Sequence, residues 1–257
     1  MLLAAGKGTR LRPLTDKWPK CLMPIGERPL LEYWLENLLS LGISKVLVNM
    51  HHHADDVRTF LRRSRFVNWV EGVFEPELLG TAGTLISNSY FFKNCTTLLV
   101  HADNWCQCDF EDFLNFHQYR LPSQCLITMM TFDSPSPETC GIVEVDEQGV
   151  VQTIHEKSAN ANGTCANGAV YLLKPEVLSW LEHHPEITDF STEVLPRFMG
   201  RIAIWHNYKI LRDIGTSKML KIAQSDPTTS PLWPKNDLWQ KKFMKHPIHK
   251  LISDSLL

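Results

Sequence analysis

The sequence predicts an α/β fold, a single domain built on a central, largely parallel sheet with helices on both faces. Two patterns lead to that expectation. Over the first hundred residues short apolar runs alternate with amphipathic stretches of helical spacing, and after about residue 124 the runs become closely spaced, β-rich and joined by polar, glycine-containing turns. Size and composition agree, since 257 residues with 44% hydrophobic and 21% charged side chains suffice for one large core plus a small appendage.

Taken in order, strand-like runs fall at 1–5, 46–50, 69–74 and 97–101, with helical stretches at 30–41, 55–61 and 84–92. In the first helix Leu31, Trp34, Leu35, Leu38 and Leu41 share one stripe, and Gly42 stops the helix before the next strand. Strands are then expected at 126–132, 141–145, 150–156 and 166–173, mixed or antiparallel and extending the sheet, with Asp146-Glu147-Gln148-Gly149 as a turn. Helices follow at 175–181, with Pro175 suited to a first turn, and at 191–198, capped by Asp189 or Ser191. Two strands at 202–206 and 209–213 and a helix at 217–224 close the domain at about residue 225. From Asp226 the composition shifts. Pro227, Pro231 and Pro234 punctuate a linker, and 237–257 shows helical spacing at Leu238, Phe243 and Leu251. Residues 226–257 therefore read as a helical extension that packs on the main domain or on a second subunit, leaving a homodimer open.

A formal net charge of -2 and a pI near 6.6 supply no global positive field, which argues against nucleic acid or an anionic membrane as partner. Residues 1–5 are too short for a signal-peptide core, and no apolar run approaches the roughly 20 residues of a membrane helix. A soluble, cytoplasmic protein is expected. Seven scattered cysteines suit free thiols in a reducing compartment, and the Cys106-x-Cys108 pair lacks the second pair that a zinc site needs.

The segment carrying most chemical information is the first thirty residues, where a glycine-rich turn follows an apolar strand. Gly6 and Gly8 let backbone N–H groups approach a phosphate closely, and Lys7, Arg10, Arg12, Lys17 and Lys20 add positive charge. It is neither a Walker A loop, lacking Gly-Lys-Ser/Thr, nor a dinucleotide fingerprint, since Leu11 stands where the third glycine belongs. On spacing alone such a loop is more often a plain turn than a phosphate site.

As a whole, however, Leu3-Ala4-Ala5-Gly6-x-Gly8-Thr9-Arg10-Leu11, followed by Pro19-Lys20 and Pro29-Leu30, closely resembles the signature of the sugar-nucleotidyltransferase family, of the mannose-1-phosphate guanylyltransferase type. Further matches run to Thr216. The stretch from Glu77 through Gly80, Thr81 and Ala82 to Gly83 resembles the loop that reads the base, in an L-G-T-A-G form similar to guanylyltransferases. His101-Ala102-Asp103-Asn104 is similar to the strand end that carries a metal-binding aspartate, with Ala102 where most relatives have glycine. Gly141-Ile142-Val143 with Glu156-Lys157 resembles the sugar-phosphate segment, Asn167-Gly168-Ala169 the sugar-hydroxyl loop, and Asp213-Ile214-Gly215-Thr216 the element whose aspartate completes the metal site.

The resemblance implies a Rossmann-like nucleotidyltransferase fold over residues 1–225, with a mixed, mostly parallel twisted sheet, and magnesium-dependent transfer of a nucleotide from a nucleoside triphosphate to a sugar 1-phosphate. It implies a nucleotide site at Leu3, Ala4, Ala5, Gly6, Gly8, Thr9, Arg10, Lys20, Glu77, Gly80, Thr81, Ala82 and Asp103. Arg10, Lys20 and Asp103 are the expected catalytic groups, and Mg²⁺ is expected on Asp103 and Asp213. The sugar phosphate is assigned to Asn104, Gly141, Glu156, Lys157, Asn167 and Gly168. GTP is the favoured donor, and the sugar is mannose, a heptose or an amino sugar. The chemistry suits these residue types. A sugar 1-phosphate has a second pKa of about 6, so the nucleophile is already ionised and needs no general base. Carboxylates for a hard cation, plus Arg and Lys donors, answer the remaining need to neutralise and align two polyanions.

Three other readings stand beside this one: a relative acting on a different base or a non-sugar phosphate, a silent member that binds nucleotide-sugar and regulates a partner, and a glycosyltransferase. The last would be expected to show Asp-x-Asp, whereas Asp103 is followed by Asn104 and Trp105. Among features outside the motif, His51-His52-His53 reads as a strand-to-helix turn near the sugar pocket, since consecutive strand residues point to opposite faces and do not share an ion. Arg58, Arg62, Arg63 and Arg65 read as a solvated helix face, and Trp233 and Trp239 as packing anchors.

Overall fold

Hydrophobic periodicity produces the elements as expected, and backbone contacts gather them into two compact units, one of residues 2–78, 101–106 and 212–257 and one of residues 1, 79–100 and 107–211. The computed structural model describes residues 1–156, 163–228 and 236–255.

The first of these units begins with strand β1 (Leu2–Leu3), a small ribbon of β2 (Pro24–Ile25) with β3 (Arg28–Pro29), helix α1 (Leu30–Ser40), β4 (Val46–Met50), α2 (Ala54–Leu61) and β5 (Val70–Phe74). Strands β1, β4 and β5 pair in parallel, with Leu3 beside Asn49 and Asn49 beside Val73. Every residue of β4 is buried, the polar Asn49 along with its four apolar members. The stripe on α1 faces this core through Leu31, Trp34, Leu35 and Leu38, and Gly42 ends the helix with a positive φ of 73°.

In the second unit α3 (Gly80–Ser87) precedes β6 (Thr97–His101); β7 (Asn104–Gln107), an element the sequence pattern does not predict, begins in the first unit, and α4 (Phe110–Asn115) follows in the second. Next come β8 (Ile127–Asp133), β9 (Gly141–Val145), β10 (Val151–Glu156), β11 (Cys165–Leu173), α5 (Pro175–Glu182) and β12 (Ile202–His206). Strand β11 is antiparallel to β6, β8 and β9, and β10 is antiparallel to β9, while β12 lies parallel to β8, so these strands are mixed, as expected. The turn at Asp146–Gly149 closes with Gly149 at φ 75° and the Asp146 carboxylate accepting the Gln148 and Val150 N–H groups. Two expected helices differ. The stretch at 84–92 starts earlier, at Gly80, and breaks at Asn88, and 191–198 is a π-type turn at Phe190–Val194 followed by a 3-10 turn at Leu195–Phe198. Pro196 withholds a backbone donor inside that second segment, so a continuous α-helix is not available there. Its cap is Asp189, which accepts the Thr192 N–H at 2.8 Å.

The chain closes with β13 (Ile210–Asp213), which pairs with β7, then α6 (Ser217–Ser225) capped by Thr216, α7 (Leu238–Met244) and α8 (Ile248–Ser255). The single helix expected from residue 237 is two, because Pro247 interrupts it. This tail packs within its own unit. Trp239 lies against Phe60 and Phe243, and Phe243 and His246 lie against Trp18. Trp239 is thus a packing anchor, whereas Trp233 falls outside the described residues. The arginine stripe is corrected in part: Arg63 is buried and bridges Glu32 on α1 and Asp237 at the head of α7, and Arg65 bridges Glu32 and Glu36. A buried carboxylate on α1 demands cations, and charge counting along residues 58–65 alone does not reveal that partner.

Candidate active site

Four charged side chains that are distant in sequence meet in the first unit. The 3-10 turn Lys20–Leu22 starts after Pro19 and buries Lys20, whose side chain is only 5% exposed. Its Nζ donates to Asp103 Oδ2 at 2.9 Å and to Asp213 Oδ1 at 2.6 Å. Asp103 sits in the turn between β6 and β7, and Asp213 ends β13. From the other side Arg10 Nη2 donates to Asp213 Oδ2 at 2.6 Å, although the Arg10 side chain is 66% exposed. Gly215 completes the turn: its N–H donates to Asp213 Oδ1, and a Cβ there would stand 2.8 Å from that oxygen and 2.9 Å from Arg10 Nη2.

Burial disfavours charge at Lys20, but the Asp103 and Asp213 carboxylates outweigh it and hold the ammonium above its ordinary range. At Asp213 burial likewise opposes ionisation, and Lys20 with Arg10 outweighs it, so the carboxyl titrates below its usual value. Lys20 and Asp213 are therefore both charged at neutral pH.

Leu3, Ala4 and Ala5 are buried and bring the chain to the exposed Gly6, where nothing lies within 4 Å of a would-be Cβ. Gly8 takes a left-handed φ of 60° and packs against Thr15 and the Lys20 stem, and Thr9–Leu11 forms a 3-10 turn carrying Arg10. Sequence reasoning missed the residues that hold this loop from behind. Asn49 on β4 accepts the Ala4 N–H at 2.7 Å and donates to the buried Glu75 at 2.9 Å, while the Thr15 hydroxyl donates to the Gly8 carbonyl at 2.8 Å. A buried Asn at a strand end and a buried Thr carry no signal without the fold.

Glu77 is exposed in the segment after β5. In the other unit Gly80, Thr81 and Ala82 form the first turn of α3, not a free loop, because the Thr188 carbonyl accepts the Ala82 N–H at 2.9 Å and Thr81 Oγ1 accepts the Phe190 N–H at 2.7 Å. Gly80 has φ 80°, and a Cβ would come within 2.4 Å of the Thr188 oxygen, so glycine is required there. Gly141 and Glu156 are direct cross-strand partners on β9 and β10. Asn167 Oδ1 accepts both the Ala169 N–H and the Tyr171 hydroxyl, fixing the irregularity of β11 beside Gly168. Asn104 is buried, and its carbonyl accepts the Trp34 indole N–H at 2.9 Å. Lys157 lies outside the described residues.

The triple histidine is a strand-to-helix turn, as expected, lying between β4 and α2. Strand β4 ends at Met50, His53 has a positive φ of 52°, and the side chains of His52 and His53 both reach the Thr15 carbonyl, at 2.8 and 3.2 Å. Once the strand ends, side chains no longer alternate, so neighbours converge on one atom.

The sequence model of the family described as nucleotidyl transferase matches residues 1–229. The chain belongs to this family. It is 30% identical over 213 residues, 77% of this chain and 54% of that protein, to a UTP–glucose-1-phosphate uridylyltransferase of Synechocystis. To a mannose-1-phosphate guanyltransferase of Emericella nidulans it is 28% identical over 224 residues, 85% of this chain and 61% of that protein. The chain thus spans only 54% and 61% of the lengths of these two relatives. Among solved structures, a Bacillus anthracis protein in complex with sucrose shares the α/β fold with a TM-score of 0.77 at 21% identity, covering 90% of this chain and 96% of that one. HddC from Yersinia pseudotuberculosis, complexed with GMP-PN, superposes with a TM-score of 0.72 at 22% identity, covering 87% and 96%.

For a nucleotidyl transferase the charged cluster has a definite chemical capacity. Among the described residues no group of three or more His, Cys, Asp and Glu side chains converges to hold a metal ion. Two carboxylates do converge, on the Lys20 ammonium. Two hard oxygen donors suit Mg²⁺, which keeps several waters and takes further oxygens from substrate phosphates, and do not suit a site closed by protein ligands alone. Among the described residues no helix is long and apolar enough to cross a membrane.

Proposed function

We propose that the chain is a sugar-1-phosphate nucleotidylyltransferase that joins a nucleoside triphosphate, GTP by preference, to a sugar 1-phosphate with release of pyrophosphate. The observation that carries this is the bridging of Asp103 and Asp213 by the buried Lys20, with Arg10 on Asp213, beside a glycine loop whose Gly6 is open to a ligand. A phosphate oxygen of the sugar 1-phosphate forms the new bond to the α-phosphorus, the bond from that phosphorus to the bridging oxygen breaks, and pyrophosphate carries away the electron pair. No proton moves, because the nucleophile is already an anion.

The residues divide this work. The segment from Leu3 to Thr9 forms the nucleotide site, with the backbone N–H groups of its glycine loop from Gly6 to Thr9 meeting the phosphates, and Arg10 and Lys20 stabilise the charge that builds on the α-phosphate and the leaving group. Both are pre-positioned by their carboxylate partners, so little reorganisation accompanies reaction. Mg²⁺, held by Asp103 and Asp213, would neutralise phosphate charge and polarise the attacked phosphorus. Glu77, Gly80, Thr81 and Ala82 contribute to base selection, and Asn104, Gly141, Glu156, Lys157, Asn167 and Gly168 to the sugar phosphate, on the strength of the family motif they match. Guanine is favoured by the Leu79–Gly83 form, and the sugar is mannose, a heptose or an amino sugar. Seven free cysteines fit a cytoplasmic setting.

Pyrophosphate release in the presence of Mg²⁺, crossing GTP, UTP, CTP, ATP and dTTP with mannose, glucose, heptose and amino-sugar 1-phosphates, tests the proposal. Release with GTP and one sugar is the expected result. Release with another triphosphate keeps the reaction and overturns the base, and no release with any pair sinks the enzymatic reading.

A further inference from the structure

The triple histidine does no work in the reaction above, yet two of its members aim at one backbone atom. His52 and His53 place Nε2 at 2.8 and 3.2 Å from the Thr15 carbonyl. A carbonyl only accepts, and it has two lone pairs, so both imidazoles donate through Nε2–H to the same oxygen. Thr15 is fully buried, and its hydroxyl donates at 2.8 Å to the Gly8 carbonyl, which also accepts the Leu11 N–H at 2.9 Å. The path from histidine to phosphate loop is therefore two hydrogen bonds long.

What the path sets is a direction. Because the peptide unit is planar and trans, the Thr9 N–H points opposite to the Gly8 carbonyl. Two donors on that carbonyl turn the Thr9 N–H away from Thr15. Gly8 adopts φ 60°, and a Cβ at this position would stand 2.7 Å from Thr15 Cγ2, so loop and Thr15 are fitted to one another. His53 itself sits at φ 52°, a left-handed conformation that non-glycine residues seldom adopt. Its ring meets His52 edge-on at 4.3 Å between centroids, and with Nε2–H on Thr15 the Nδ1 that lies 3.3 Å from Asp56 Oδ2 donates to that carboxylate only when the ring carries both protons. The ring contact holds the two imidazoles together where they face Thr15.

We propose that His52 and His53 are positioning residues for the nucleotide, acting through Thr15 to fix the Gly8–Thr9 peptide so that its N–H meets the triphosphate. This rests on the nucleotidylyltransferase reading for its ligand, but the loop order it requires exists without one.

The test uses the full chain, comparing wild type with the double variant His52→Ala/His53→Ala, with Thr15→Val, and with His52→Gln/His53→Gln, whose amide nitrogens reach about as far as Nε2. Two readouts are taken: amide hydrogen exchange over residues 6–12 in the free protein, and KM for each substrate in pyrophosphate release. The alanine pair and Thr15→Val are expected to exchange faster in that segment and to raise KM for the triphosphate about tenfold, about 1.4 kcal/mol, with KM for the sugar 1-phosphate little changed. The glutamine pair is expected to restore most of both. A merely structural role would move both KM values together and show no glutamine rescue, and that result, or unchanged exchange in the alanine pair, overturns the proposal. Should the alanine pair fail to fold, Thr15→Val alone decides by the same two readouts. If wild type releases no pyrophosphate, the functional reading fails while the exchange comparison still judges the clasp.

Discussion

Lys20 is the residue at which the chemistry and the stability of the site meet. Its ammonium separates two carboxylates that would otherwise repel, and they in turn keep a buried lysine charged. Replacing it by methionine leaves Asp103 and Asp213 facing each other without a cation. Lys20→Met is expected to lower turnover by about a hundredfold or more, as loss of a transition-state donor does, and to make the melting temperature more responsive to Mg²⁺ than in wild type. Thermal scans with and without MgCl₂ check this, and an unchanged magnesium response would place the metal elsewhere. The pH dependence follows from the directions of the shifts. Lys20 titrates above its ordinary 10.5, so its contribution is complete below that value and is lost only as pH rises through the raised one. Asp213 titrates below 3.8, so its contribution is complete above 3.8 and is lost as pH falls through the depressed value. The stability gap between wild type and Asp213→Asn is therefore expected to hold constant from neutral pH to about 4 and to shrink below it. Urea unfolding at a series of pH values measures that gap.

At the scale of elements, the C-terminal helices are part of the support of the unit that carries the charged cluster. Phe243 on α7 is buried between Trp18, Trp239 and His249, and Arg63 ties Asp237 at the head of α7 to Glu32 on α1. Trp18 lies two residues before Lys20 and donates its indole N–H to the Leu22 carbonyl at 2.7 Å, so the tail braces the turn that presents the lysine. Phe243→Ala is expected to cost about 3–5 kcal/mol in urea unfolding, with a red shift of tryptophan emission as Trp18 gains water. An effect within the roughly 0.5 kcal/mol of a surface substitution would show that the tail is dispensable. The sequence shows these helices through the spacing of Leu238 and Phe243. It does not show their target, because amphipathicity reports that a face is buried but not against what.

At the scale of the whole chain, binding is linked to stability. A ligand that binds only the folded chain stabilises it by about 2.7 kcal/mol at a hundred times its Kd, or about 5–10 °C for a domain of this size. Magnesium GTP is expected to produce such a shift in a thermal scan, larger than that of GTP with a chelator, and no shift with any of the five nucleoside triphosphates would contradict a nucleotide site.

The sequence by itself determined the α/β class, most element positions and the identity of the family, because each is written in local pattern: strand and helix periodicity, and a signature whose glycines, arginine and lysine lie within thirty residues. It named Arg10, Lys20, Asp103 and Asp213 through motif resemblance, one segment at a time. Only the tertiary structure decided that these four meet, with one lysine shared between two aspartates, since their separation of up to 203 residues leaves no local trace. It also decided which polar residues support the site. Asn49, Thr15, His52 and His53 act through backbone atoms of other segments, and a hydrogen bond to a backbone N–H or carbonyl imposes no complementary residue type on its partner. Arg63 makes the same point for charge: in the sequence it belongs to a basic stripe, but it lies in the turn after α2, and the buried Glu32 that claims it lies on α1.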